Sequence, residues 1–401
     1  MLTSKRGVIS PNIDKRAFTK KLVLATQQTI SFLESKLNET GSYGEDITDI
    51  ACYFKSPMLF LMADKPEKAE AILKYIEKGF MLPNGDFKTS EKQKSSNNAY
   101  NEYWCYTNGW IVRAATQLKM KSISYAGYKY LKTYDLGIDS GFSTNQIGKN
   151  NPIMTDVLTV AHHGLINLEN GELETAHACG KFLCKAMAKQ PTLNKGFFLR
   201  FNQHGEIIKN FPNDQKPFYF ISTTETNQLH FMIGYPAAFL AILYTHTKNA
   251  SYLQSAKAYL DFSLSCHENI YECDFSHKIA WAASLIYKIT QDNKYLVTTE
   301  KICNYFITKQ DGGMWFKENP TASFDQSAEI TCWFLDIINN IKGLKKKERL
   351  TSSTNRLCAW NNNVIRYAVL GLFTGIGLYA VYRSTASLVE EINILTKSNS
   401  I

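Results

Sequence analysis

Twelve segments of helical periodicity, alternating between one-sided and nearly all-round apolar character, constrain this chain more than any other feature. Residues 15–37 place Leu22, Leu24, Ile30, Phe32 and Leu33 on one stripe. Residues 46–62 are apolar on most sides, and Pro57 is expected to kink that helix. The alternation then repeats: 66–80, 122–134, 172–189, 251–266 and 294–309 each have a wet face, whereas 101–119, 155–168, 228–245, 276–289 and 325–341 are largely dry. A helix apolar all round must be covered on most sides, and a one-sided helix must lie on it. Six dry helices inside six wet ones predict an all-α fold, a double ring or (α/α)6 toroid, over residues 1–343.

The joints between segments repeat as well, as a repeated supersecondary unit requires. Gln310-Asp311-Gly312-Gly313-Met314-Trp315 joins a wet helix to a dry one. Weaker glycine-aromatic copies stand at Gly41, Gly85, Gly141 and Gly196. One joint, 191–226, is too long for a simple connection. Its residues 197–201 and 206–211, around Asn202-Gln203-His204-Gly205, predict an inserted β-hairpin at the rim.

Composition changes after the repeats. Residues 344–363 form a basic and polar linker, 364–383 a hydrophobic membrane-spanning or docking helix, and 384–401 a tail. The apolar run 367–382 lies between Arg366 and Arg383, and Gly371 and Gly375 carry the small-xxx-small spacing that suits self-association in a membrane. With the Lys/Arg cluster before it, this helix predicts a tail-anchored, membrane-associated protein whose catalytic domain faces the cytoplasm. The nine cysteines are scattered singly, which argues for reduced thiols. The net charge of +9 comes without a nucleic-acid-binding signature, so no nucleic acid is expected as a partner.

In a toroid the first turns of the dry helices face one cavity mouth, and they carry the candidate chemistry. Asp49, His230, His277, Asp325 and Glu329 are the candidate acids and bases, with His277/Trp281 and Asp325/Glu329 four apart on one helical face. Tyr103, Trp104, Trp110, Asp156, His163, Trp281 and Trp333 are the candidate substrate contacts. Capping is the competing role for such acids, most of all for Asp156 and Asp325. Cys273, Asp274 and His277 lack a distant third partner for zinc, and there is no phosphate loop or dinucleotide fingerprint. Neither a metal nor another cofactor is expected.

The Gln310 to Trp315 joint, followed by Asp325 on the next helix, resembles the Gln-Trp motif of the terpenoid cyclase and protein prenyltransferase toroids. Only one repeat carries it well. The Asp-x-Asp-Asp acid of the squalene-hopene type is missing, as is the prenyltransferase zinc pattern. The resemblance implies isomerisation or cyclisation of an apolar small molecule, isoprenoid-like or polyketide-like. The chain is similar in helix count and cavity composition to (α/α)6 sugar epimerases, glycoside hydrolases and polysaccharide lyases, which makes a carbohydrate-active toroid the alternative. A non-catalytic binding or scaffold toroid is the third reading.

Overall fold

A computed structural model describes residues 13–137, 141–147 and 153–342. Its six inner helices are α2 (Ser56–Met62), α4 (Trp104–Gln117), α6 (Val157–Glu169), α9 (Phe231–Thr247), α11 (His277–Thr290) and α13 (Pro320–Lys342). Each packs on the next and α13 packs on α2, so the ring closes. Around it lie α1 (Lys15–Lys36), α3 (Pro66–Phe80), α5 (Lys121–Lys132), α7 (Leu173–Ala188), α10 (Ala250–Leu264) and α12 (Asn293–Lys309). Helix α1 covers α13, joining the first ring helix to the last. The predicted toroid is therefore the fold, and its polarity pattern is the reason. Inner helices such as α9 bury nearly every position from Met232 to Leu243, whereas α3 buries only Ala69, Ile72, Leu73, Ile76 and Phe80.

Two local expectations are corrected. Pro57 does not kink a helix spanning 46–62; it stands in the first turn of α2, where its missing N–H is not needed. The preceding chain forms only a short 3₁₀ turn, Ile50–Cys52. The inserted segment does turn at Asn202 to Gly205, with Gly205 N–H donating to Asn202 O. Its strands, however, pair elsewhere. Strand β1 (Met154–Asp156) pairs antiparallel with β3 (Arg200–Asn202), and β2 (Gly196–Phe198) with β4 (Phe220–Ser222). Between β3 and β4 lies the short helix α8 (Lys216–Tyr219). The hairpin is thus stitched to the entry of α6, and Phe201↔Ile207 is its only bridge across the turn among the described residues.

The glycine-aromatic joints are packing devices. Gly313 has φ +87°, and a Cβ there would lie 2.6 Å from Gln28 O on α1. Gln310 Nε2 donates to Ala25 O and Thr29 Oγ1 of the same helix, and Trp315 Nε1 donates to Phe306 O. Outer helix, joint and ring closure are fastened together at this point.

The expected membrane association is corrected: among the described residues no helix is long and apolar enough to cross a membrane. The segment 364–383, including Gly371 and Gly375, lies outside the described residues.

Candidate active site

Five of the loops that lead from outer to inner helices contribute residues to one cavity of about 610 Å³. Its upper wall is aromatic and aliphatic: Tyr100, Tyr103, Phe218, Leu229, Phe231, Phe275 and Phe316. Its floor is charged, with Lys55, His277, Lys278, Asp325 and Glu329, and Tyr106 beside them.

The floor is assembled from four inner helices or their entries. Glu329 stands one turn after Asp325 on α13, so both carboxylates point the same way. Lys55, at the entry of α2, places Nζ 2.6 Å from Asp325 Oδ1 and 2.6 Å from Glu329 Oε2. Lys278, the second residue of α11, donates to Glu329 Oε1 at 2.8 Å, and Tyr106 of α4 donates its hydroxyl to that same oxygen. His277 Nε2 lies 3.1 Å from Lys278 Nζ and 3.5 Å from Glu329 Oε2. In one tautomer that nitrogen accepts from Lys278; in the other it donates to Glu329. Nδ1 of His277 is buried without a partner among the described residues.

Each of these ionisable groups is almost fully buried, and the electrostatics follow from how the charges are shared. Burial raises the Glu329 pKa, but Lys278 and Lys55 outweigh it and hold the carboxyl well below its ordinary range. For Asp325 burial wins over Lys55 and Glu329 adds repulsion, so its pKa is raised. Lys55 is disfavoured by burial yet held above its ordinary value by two carboxylates. Lys278 has only its share of Glu329, and burial brings it down to about 8. His277 is lowered to about 4 by burial and by Lys278, which leaves it neutral at pH 7.

A second layer lies one helical turn deeper. Trp110 follows Tyr106, Trp281 follows His277 and Trp333 follows Glu329, each at i+4. Trp281 and Trp333 stack with centroids 3.9 Å apart, and Trp110 meets Trp333 at 5.4 Å. Trp281 Nε1 donates to Asp336 at 3.1 Å. These three rings plug the toroid beneath the charged layer and do not line the cavity.

Of the remaining candidates, Asp49 sits away from the cavity. It caps the 3₁₀ turn through Ala51 N–H at 2.8 Å and accepts from Ser96 N–H at 2.6 Å and Ser95 Oγ at 3.1 Å. His230 is buried between Leu229 and Phe231 without bordering the cavity, and burial lowers it to about 4. Asp156 caps α6 through Thr159 N–H, and burial raises its pKa. His163 stacks on Phe142 at 4.0 Å, and Trp104 Nε1 donates to Asp86. The structure therefore brings together His277, Asp325, Glu329 and Tyr103 around the cavity and sends the others to caps and packing. Sequence reasoning missed Lys55, Lys278, Tyr106 and the rim rings other than Tyr103. The lysines did carry a signal, because an ammonium inside a dry helix is costly to bury without a partner. Among the described residues no group of three or more His, Cys, Asp or Glu could hold a metal ion.

No protein-family model matches the chain, and no curated protein matches it in sequence. In structure it is similar to a D-mannose isomerase, with 13% identity and TM-score 0.59 over 81% of this chain and 98% of that one. It is also similar to a sugar epimerase from a ruminal bacterium, with 11% identity and TM-score 0.54 over 81% and 99%. The family 76 α-mannanase BT2949 of Bacteroides thetaiotaomicron gives 13% identity and TM-score 0.55 over 82% and 99%. Identities this low establish the toroid and no more. They do correct the terpenoid cyclase resemblance: what this chain shares is the double ring, and these neighbours are carbohydrate-processing toroids.

Proposed function

We propose that this protein is a carbohydrate-active enzyme that moves a proton at the carbon beside a sugar's carbonyl group, an isomerase or epimerase of reducing sugars. One observation carries the reading: an amine, an imidazole, a phenol and a carboxylate, from Lys278, His277, Tyr106 and Glu329, converge on the floor of an aromatic-walled cavity. Removing such a proton needs a base and donors that hold the charge developing on the carbonyl oxygen. His277, neutral at pH 7, is the base; the Lys55 ammonium and the Tyr106 hydroxyl are the donors. Tyr100, Tyr103 and Phe231 offer flat apolar faces to the C–H side of a sugar ring. The fold likeness to the isomerase and the epimerase supports this class. Against glycoside hydrolysis, Asp325 and Glu329 both lie on Lys55 Nζ, whereas that reaction needs its two carboxyls on either side of the scissile bond.

The test is incubation of the full chain with D-mannose, D-glucose or D-fructose in heavy water, followed by NMR of the sugar. Enzyme-dependent deuterium uptake beside the carbonyl, with a new isomer or epimer, is expected. Release of mannose from an α-mannan with no exchange on any free sugar would replace this reading with hydrolysis.

A further inference from the structure

Two buried lysines share this floor, and they are not equivalent. Lys55 is bound to two carboxylates at 2.6 Å each, so its proton is held. Lys278 has a single carboxylate at 2.8 Å, and that carboxylate already serves Lys55 and Tyr106. Its Nζ also lies against Phe231 and Tyr106, 4.9 and 5.5 Å from the ring centroids, and borders the cavity. A desolvated amine beside a second cation is the arrangement in which lysine becomes a nucleophile toward carbonyl carbon. His277 Nε2, 3.1 Å away, is placed to take up the proton that such an amine must lose.

We infer that Lys278 forms a Schiff base with the carbonyl carbon of the cavity's ligand, an aldehyde or a ketone. The neutral amine adds to that carbon, forming the C–N bond while the carbonyl π pair moves to oxygen, which takes the proton that His277 received from the Lys278 ammonium. The carbinolamine, still carrying two hydrogens on its positive nitrogen, then releases its hydroxyl with one of them as water, leaving a protonated imine, and water reverses the sequence at the end of the cycle. Its lowered proton affinity, to about 8, leaves about a tenth of Lys278 in the neutral form at pH 7.

The inference rests on the proposed function only in taking the carbonyl compound to be a sugar, and there it narrows the reaction. In an aldose imine, loss of the C2 proton and its return to the other face, followed by hydrolysis, gives the C2 epimer. An aldose-to-ketose shift by the same route would leave C1 joined to Lys278 by a single C–N bond that water does not cleave. The covalent route therefore serves epimerisation.

Reductive trapping tests it. The full chain is treated briefly with glycolaldehyde and sodium cyanoborohydride, and the modified residues are mapped by mass spectrometry. One dominant secondary amine at Lys278 is expected, with Lys55 unmodified and the adduct absent from Lys278→Arg. On the unaltered protein, labelling of Lys278 should rise with a midpoint near pH 8, whereas surface lysines rise near their ordinary value of about 10.4. Labelling of Lys278 no faster than that of surface lysines would overturn the inference, whether or not the variant folds. The sugar reading fails separately: a Lys278 adduct with glycolaldehyde but no deuterium exchange on any aldose keeps the lysine and removes the sugar. Exchange on an aldose without a trappable adduct removes the covalent route alone.

Discussion

Lys55 Nζ and Glu329 Oε2 meet at 2.6 Å with both side chains almost fully buried, although 274 positions separate them in the chain. The pair ties the entry of α2 to α13 at the place where the ring closes. Removing one partner leaves a buried charge uncompensated, which costs about 3–5 kcal/mol. Lys55→Met should lower stability by that order in urea unfolding, and Lys55→Met/Glu329→Gln should recover part of it. A double variant as unstable as the sum of the two single ones would show that the residues do not interact.

Stability should rise with pH across the histidine range. The folded His277 pKa is lowered from 6.5 to about 4, so the unfolded chain binds the additional proton between those values. The His277 contribution is therefore lost as pH falls below 6.5 and is fully present above it. His162, His163 and His230 are lowered by burial as well and act in the same direction. Replacing His277 with Gln should flatten the rise by up to about 3 kcal/mol, measured as urea midpoints at pH 4.5 and pH 7. An unchanged slope would mean that His277 is charged in the folded state.

Asp49→Asn should act on stability and not on turnover. Asp49 fastens the 3₁₀ turn before α2 to Ser95 and Ser96, and it does not border the cavity. Weakening these bonds should cost about 1–3 kcal/mol. The rate per folded molecule, from deuterium exchange on the sugar, should stay within about twofold of the parent. A loss of rate without a loss of stability would return Asp49 to the chemistry.

Gly85 and Gly171 separate backbone strain from close approach. Their φ angles are +89° and +83°, but a Cβ at Gly85 would lie 2.2 Å from Ala126 O, whereas at Gly171 nothing lies within 4 Å. Gly171→Ala should cost about 1 kcal/mol, the strain of a left-handed alanine. Gly85→Ala should cost distinctly more, because α5 must also move away. Equal thermal midpoints for the two variants would mean that the joint does not hold α5 in place.

The chain by itself determined the double ring. Whether a helix is wet on one side or dry all round is written in the spacing of its own residues, and six alternations leave few ways to cover the dry faces. The same local reading placed His277, Asp325 and Glu329 near the mouth, because how far a residue stands from the start of its helix is a local property, although α13 begins at Pro320 and not at Asp325. It could not tell caps from cavity groups, since Asp156 at the start of α6 and Asp325 in the second turn of α13 differ mainly in what lies across from them. The tertiary structure decided that. Only ring closure brings Lys55 to Glu329, and only the crossing of α11 with α13 puts Lys278 on the same carboxylate. Those meetings set which groups are charged, because Coulomb interaction and desolvation depend on distances in space that separation along the chain does not specify.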